Sequence, residues 1–126
     1  MIKPIDTLTL FKNHPETTIP AGSIIFKEGE TALVMYGLLE GTVEMTVKGK
    51  LVEILTAGDV FGEGALVHQD HLRTSTAIAK TDCTLVEMNR ERFMFAVQQA
   101  PMFALELLKS YSDRFRRLKE CYQALL

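Results

Sequence analysis

The sequence has little of what covalent or metal-based chemistry requires. It contains two cysteines, three histidines and no tryptophan in 126 residues. Cys83 and Cys121 are far apart without a metal-type spacing, and Cys83 falls in an alternating apolar pattern that predicts a buried strand residue. His68 and His71 flank Asp70, but no third ligand lies nearby in sequence, so an exposed polar loop is the better interpretation. We see no catalytic constellation, and we expect neither a metal nor enzymatic activity.

Two further absences narrow the class of protein. The 14 basic and 16 acidic residues give a net charge of −2, whereas a bare polyanion-binding module would be strongly basic. No apolar run approaches the roughly 18–20 residues that a bilayer span needs. The start, Met1-Ile2-Lys3-Pro4, lacks the apolar segment of a signal peptide. The length fits one domain of roughly 100–150 residues, so we expect a single cytoplasmic domain over residues 1–126 with no membrane partner.

Short apolar alternations interrupted by glycine fill residues 17–88. In one of them Val43, Met45 and Val47 face one way and the intervening polar residues face the other, as in a half-buried strand. The residues 48–50, Lys-Gly-Lys, predict a tight connection and therefore an antiparallel hairpin with the next strand. Many short strands at close spacing predict an antiparallel barrel or sandwich.

The apolar period becomes helical over residues 89–126. Asn89 is a good N-cap for a helix over residues 90–99, and Pro101 separates it from a long second helix. Apolar residues of the second helix are three or four apart, the heptad spacing of a seam between two helices. These residues predict a homodimer through residues 108–125: Leu108, Tyr111, Phe115, Leu118, Tyr122 and Leu125. The alternative is a helix packed on its own barrel, which we expect only for its upstream part.

One segment between the strands has the composition of an anion site. Residues 63–67 have room for one helical turn, whose start presents unpaired N–H groups and a partial positive charge. Gly64 and Ala65 would let a ligand approach that backbone closely. Arg73 can reach the same anion with a planar fork of donors, and Glu63 can accept from a hydroxyl. From the residues alone there is an alternative interpretation, in which Glu63 is only a carboxylate at a helix start and Arg73 only a cation on the surface.

The order Phe61-Gly62-Glu63-Gly64-Ala65-Leu66, followed by Arg73-Thr74, resembles the phosphate-binding cassette of cyclic nucleotide-binding domains. The spacing from Glu63 to Arg73, 73 − 63 = 10, is similar to that in the bacterial catabolite activator protein (Crp/Fnr-like) family. Glycine turns upstream occur in the family's order, so the resemblance extends from about Thr17 to the last helix. It implies a mainly β fold: an eight-stranded antiparallel, jelly-roll-like β-roll (a double-stranded β-helix) followed by two helices, the last one long. We call residues 61–75 the cassette.

The resemblance also implies roles for the cassette residues. Glu63 accepts from the ribose 2′-hydroxyl, Arg73 pairs with the exocyclic phosphate oxygens, and the Thr74 hydroxyl adds a hydrogen bond. The backbone N–H groups of Gly64 and Ala65 complete the phosphate cradle. A cyclic phosphodiester carries a single negative charge, so one arginine and one helix end suffice, and the cassette holds no second cation. The predicted ligand-binding residues are Phe61, Gly62, Glu63, Gly64, Ala65, Leu66, Arg73, Thr74 and Ser75.

Three features depart from the family's pattern. Gly64 stands where the family usually has a larger apolar residue, which predicts a looser short helix. Leu118 and Lys119 stand where the last helix of the bacterial regulators supplies small hydroxyl residues to the purine. The sequence ends at Leu126 without a helix-turn-helix, so we expect no sequence-specific DNA binding.

Three functions remain as hypotheses. The first is a cyclic nucleotide sensor, for cyclic AMP rather than cyclic GMP, that signals to an unknown protein by repositioning its last helix. The candidates for that coupling are Phe61, Leu66, Tyr111 and Phe115. The second is a degenerate β-roll that serves as a dimerisation or scaffold module without a nucleotide. The third is a cupin-type enzyme, against which the three scattered histidines argue, because its metal needs clustered ones.

Overall fold

The structure, a computed structural model, describes residues 16–126. The predicted start of the domain at residue 1 lies outside the described residues. The same holds for Met1–Pro4, which the sequence predicts not to begin a signal peptide. The strands and helices are β1 (Glu16–Ile19), β2 (Ile24–Phe26), β3 (Val34–Glu40), β4 (Thr42–Val47), β5 (Lys50–Thr56), β6 (Val60–Phe61), α1 (Gly64–Val67), β7 (Thr76–Ala79), β8 (Cys83–Asn89), α2 (Arg90–Gln99) and α3 (Pro101–Ala124).

Two antiparallel sheets of four strands form the β-roll. One has the strand order β1-β8-β3-β6 and the other the order β2-β7-β4-β5. This confirms the predicted mainly β fold with eight strands, followed by α2 and the long α3. The short helix α1 lies between β6 and β7, where the sequence predicts one helical turn.

The hairpin of β4 and β5 forms as predicted. Val47 pairs with Lys50, so Lys48 and Gly49 are the two residues of the turn. Both have a positive φ, 51° and 78°, which is the geometry of a type I′ turn and explains the glycine. β5 is an edge strand, and it exposes three apolar side chains beside α3: Leu51, Val52 and Ile54. With Leu118 and Cys121 of α3 they line a groove of about 300 Å³.

The core has two parts. One lies within the roll and is made by the inward faces of both sheets. The other joins the roll to the helices, where Met35 and Met88 pack with Phe93 of α2 and Phe103 of α3. The rings of Phe93 and Phe103 meet edge to face, 6.0 Å apart. The predicted N-cap is confirmed, because Asn89 Oδ1 accepts from the Arg92 N–H at 2.8 Å.

The long helix α3 leaves the core after its first two turns, which bury Phe103 and Leu107. Its 24 residues correspond to a length of about 36 Å. The predicted seam divides into two sets of residues. Tyr111 and Leu118 turn toward the chain's own roll, where Tyr111 lines a cavity and Leu118 the groove. The other four are exposed by 60% or more: Leu108, Phe115, Tyr122 and Leu125. A homodimer through these residues stays a prediction.

The two cysteines have opposite environments. Cys83 is buried, as predicted, and its Sγ donates to the Thr42 and Thr81 carbonyls. Cys121 is exposed on α3. In the part of the chain from residue 16 onward, no helix is long and apolar enough to span a membrane.

Candidate functional site

A cavity of about 150 Å³ lies between the cassette, the β4–β5 hairpin and α3. Six of the nine residues predicted to bind a ligand line it: Gly62, Gly64, Ala65, Arg73, Thr74 and Ser75. Leu72 of the cassette also lines the cavity. The other lining residues come from outside the cassette: Phe26, Met45, Glu53, Tyr111 and Arg114. Strand pairing therefore brings the two ends of the cassette to one cavity, and α3 closes one of its sides.

Phe61 and Leu66 do not line the cavity, in contrast to the sequence prediction. Phe61 is fully buried and stacks on Tyr36 inside the roll, with ring centroids 5.5 Å apart. Leu66 is buried in the second part of the core, beneath the helices. Both are apolar residues of the motif whose burial anchors the cassette. Phe61 anchors it to the core of the roll, and Leu66 to the core beneath the helices.

Arg73 is held rigidly in the cavity wall. It is 4% exposed, and its Nη1 and Nη2 donate to the carbonyls of Gly62 and Val34, each at 2.7 Å. The guanidinium carbon lies 4.1 Å from the centroid of the Phe26 ring, a cation–π geometry. Nε is buried and has no hydrogen-bond partner. Burial lowers the pKa of Arg73, but an arginine remains charged. An unpaired donor on a buried cation is costly, and an anion in the cavity would satisfy it.

Gly62 is required by this arrangement. Its φ is +81°, which disfavours any side chain, and a Cβ there would lie 2.7 Å from Arg73 Nη1. Glycine at this position therefore permits the backbone conformation and also makes room for the guanidinium.

Glu63 is the second buried charge of the cassette, and it lies behind the cavity wall. The side chain is 3% exposed, its Oε1 accepts from Arg114 Nη1 at 3.2 Å, and its Oε2 has no hydrogen-bond partner. Burial raises the pKa of Glu63, and the Arg114 charge and the Tyr111 hydroxyl offset part of that rise. The carboxylate is thus an acceptor whose access from the cavity is covered by Arg114.

Arg114 is the functional residue that the sequence reasoning missed. Its Nε and Nη2 donate to the two carboxylate oxygens of Glu53 at 2.6 and 2.8 Å, and Nη1 also donates to the Val60 carbonyl at 3.1 Å. Burial lowers the pKa of Arg114, but the hydrogen bonds to Glu53 and the charges of both glutamates outweigh it and raise the pKa above its usual value. These bonds tie α3 to β5, to β6 and to the cassette.

The sequence prediction of a single cation at the site is therefore incomplete. The cassette itself does hold one arginine, but α3 brings a second guanidinium to the same cavity. Arg116 and Arg117 of the same helix are exposed, whereas Arg114 turns toward the roll. One signal was available, since Arg114 follows Tyr111 by three residues and so shares its face of the helix.

The helix start at α1 has the expected form. Gly64 is its first residue, and the amides of Gly64 and Ala65 precede the first intrahelical bonds, which are donated by Leu66 and His68. Within residues 16–126 no three histidine, cysteine or acidic side chains are grouped so as to hold a metal ion. His71, predicted to lie in an exposed loop, is instead half-buried, with Nδ1 2.7 Å from the Ala65 carbonyl oxygen.

Comparison with known proteins gives a consistent result. A family model described as the cyclic nucleotide-binding domain matches residues 16–100. The cAMP-activated global transcriptional regulator CRP of Pasteurella multocida is 30% identical over 116 residues, which are 87% of this chain and 56% of that protein. The Rap guanine nucleotide exchange factor 1 of Caenorhabditis elegans is 42% identical over 99 residues, 78% of this chain and 9% of that protein. The chain thus spans between about a tenth and about half of these relatives' length.

Solved structures share the fold. The catabolite activator protein of Thermus thermophilus superposes with a TM-score of 0.75 at 24% identity, covering 97% of this chain and 58% of that one. A structure reported for a cyclic-GMP-dependent signalling pathway in bacterial phytopathogenesis gives a TM-score of 0.75 at 24% identity, covering 90% of this chain and 91% of that one.

Proposed function

The chain belongs to the cyclic nucleotide-binding domain family. We propose that it is a cyclic nucleotide sensor whose ligand is cyclic AMP. The observation that carries the proposal is a pair of buried polar atoms without partners, Nε of Arg73 and Oε2 of Glu63. One is a cationic donor and the other an anionic acceptor. A ligand that satisfies both offers an anion and, at a fixed distance from it, a hydroxyl group. A ribose cyclic phosphate has these two groups.

The phosphate is bound at the Arg73 end of the cavity. Arg73 supplies a fixed positive charge, and Gly64 and Ala65, the first residues of α1, line the same cavity. Charge-assisted hydrogen bonds in a partly enclosed site are the strong ones, since little water competes there. The Thr74 hydroxyl borders the same space.

The ribose hydroxyl reaches Glu63 only when Arg114 gives way. Arg114 covers this carboxylate and is fixed to Glu53 of β5 by two hydrogen bonds. A hydroxyl that reaches Oε2 must displace the guanidinium that covers the carboxylate, so nucleotide binding and the position of α3 are coupled. A ligand shifts such an equilibrium only by its difference in affinity for the two arrangements, and Glu63 supplies that difference.

The choice of cyclic AMP rests on the relatives rather than on a base contact. The Pasteurella relative is named as cAMP-activated, and a second relative, from Schizosaccharomyces pombe, is a cAMP-dependent protein kinase regulatory subunit that is 38% identical over 74 residues. Leu118, one of the positions aligned with purine contacts, lines the groove beside β5 and not the cavity. Base recognition by the usual last-helix residues is therefore not part of the proposal.

Substitution of Glu63 by glutamine tests the ribose contact. The wild type is expected to bind cyclic AMP about 10- to 100-fold more tightly than 2′-deoxy cyclic AMP, because a hydrogen bond to a charged acceptor contributes about 1.5–3 kcal/mol. In Glu63→Gln this preference should fall to a few-fold, since the amide accepts more weakly. Isothermal titration calorimetry with both nucleotides measures the two ratios.

Glu120→Gln is the matched control, because it removes the same charge from an exposed position on α3 and should keep the wild-type preference. Equal affinity of the wild type for both nucleotides would refute the role of Glu63. If the wild type binds neither cyclic AMP nor cyclic GMP, the scaffold function replaces the sensor.

We also propose a homodimer through the exposed part of α3. A charge placed on such a helix seam prevents the two helices from pairing. Phe115→Glu is expected to convert a dimer into a monomer, and light scattering after gel filtration should give the chain mass of 14.2 kDa instead of twice that value. Phe115 is a better choice than Leu118, whose side chain lines the chain's own groove. Gln123→Glu changes the charge by the same amount at an exposed position outside the seam and should remain dimeric. A monomeric wild type would contradict the seam.

A further inference from the structure

We propose that His71 is a positioning residue that fixes the first amides of α1 for the phosphate of the ligand; this rests on the function proposed above. On its own, α1 is a weak helix. The helix has four residues, begins with Gly64 and has no side-chain hydrogen bond at its N-cap, Glu63. A single turn does not hold itself together, because nucleation fixes several residues for each hydrogen bond gained. Its geometry must therefore be imposed from outside.

Burial of Leu66 holds the core side of this turn, and the imidazole of His71 adds a second constraint at Ala65. Its Nδ1 lies 2.7 Å from the carbonyl oxygen of Ala65. A carbonyl oxygen only accepts, so Nδ1 carries the hydrogen and donates it. Ala65 is 2% exposed and lines the cavity, so this bond holds the residue whose amide borders the anion site.

His71 is itself fixed to the backbone segment that carries Arg73. The Ala32 N–H donates to the His71 carbonyl at 3.0 Å. Two residues later the Arg73 N–H donates to the Glu30 carbonyl and the Arg73 carbonyl accepts from Gly29, each at 2.8 Å. The imidazole thus links the helix start to the backbone segment that carries Arg73, and so to both groups that bind phosphate.

The backbone of His71 shows why few residues suit this position. Its φ is +54°, a left-handed conformation that is uncommon outside glycine. Asparagine tolerates this conformation and carries its amide nitrogen at the same number of bonds from the backbone as Nδ1 of histidine. Glycine tolerates the conformation but has no donor.

The first arm of the test compares these two substitutions by calorimetry with cyclic AMP. His71→Asn should bind within about twofold of the wild type, and His71→Gly about five- to tenfold more weakly, as expected for one lost hydrogen bond. Gln69→Gly, at an exposed position of the same loop, should leave the affinity unchanged. Equal binding by His71→Gly and the wild type, or equal losses in His71→Asn and His71→Gly, would overturn the proposal.

The second arm needs no nucleotide. In hydrogen–deuterium exchange of the protein alone, the amides of α1 should exchange faster in His71→Gly than in the wild type and in His71→Asn. Unchanged exchange in His71→Gly refutes the link between His71 and α1, whatever the affinities. If the wild type binds no cyclic nucleotide, the proposed function fails, while the exchange comparison still decides whether His71 holds α1.

Discussion

Arg73→Ala is expected to weaken cyclic AMP binding by about 100- to 4,000-fold, since removing one partner of a desolvated charge pair costs about 3–5 kcal/mol. The loss has two causes. The phosphate loses its cationic partner, and the cavity loses the group that occupies the space between Gly62 and Phe26. Calorimetry on the wild type and the variant measures the ratio.

Arg73→Lys separates charge from geometry. A lysine keeps the positive charge but has no planar fork to bond the carbonyls of Gly62 and Val34 together. It should bind more tightly than Arg73→Ala and at least tenfold more weakly than the wild type, about 1.4 kcal/mol. Arg117→Ala removes an arginine that is 47% exposed and should have no effect. An Arg73→Ala variant that folds and binds cyclic AMP like the wild type would show that the phosphate does not bind at this end of the cavity.

Arg114→Ala should lower the free energy of unfolding by about 3–5 kcal/mol, the cost of removing one member of a buried ion pair. Arg114 is 12% exposed and contacts two carboxylates that are 11% and 3% exposed. Without the guanidinium, Glu53 and Glu63 remain as like charges in a partly dry site. For a domain of this size the midpoint of thermal unfolding should fall by about 10–15 °C. Arg116→Ala, at an exposed position of the same helix, should change it little.

The loss in Arg114→Ala should also depend on pH. Burial raises the pKa of Glu63, so the folded chain binds this proton more tightly than the unfolded chain does. Stability from such a group is present below the unfolded pKa and is lost as pH rises through the folded pKa. The Arg114 charge lowers that pKa, and its removal therefore deepens the loss at high pH.

Thermal unfolding of Arg114→Ala and the wild type at pH 5 and pH 8 measures this effect. The difference between the two proteins should be larger at pH 8. The double variant Arg114→Ala/Glu63→Gln should recover part of the stability, because the residues are in contact and their effects are not additive. Equal differences at both pH values would contradict a charged, buried Glu63.

Local patterns of the sequence account for most of the fold. Alternation with period two predicts β4, and the pair Lys48 and Gly49 predicts its turn, because both signals depend on neighbouring residues only. The cassette is equally local. Its glycines, Glu63 and Arg73 lie within a dozen residues, so their order predicts which backbone borders the cavity.

The rest of the site depends on contacts between distant residues. Arg114 meets Glu53 and Glu63 across 61 and 51 positions of the chain. A heptad pattern says which side of α3 is apolar, but not which arginine beside that stripe turns into the roll. For the same reason apolar motif residues such as Phe61 and Leu66 were expected beside the ligand, although their environment is the core.

The two cysteines allow the proposed movement of α3 to be observed without a substitution in the cavity. Cys83 is buried between the Thr42 and Thr81 carbonyls. Cys121 is exposed in the last turn of α3, where it lines the groove beside β5. A maleimide dye is therefore expected to attach at Cys121, which lies on the helix that we propose moves when a nucleotide binds. Fluorescence of the labelled protein reports the kinetics of the helix directly.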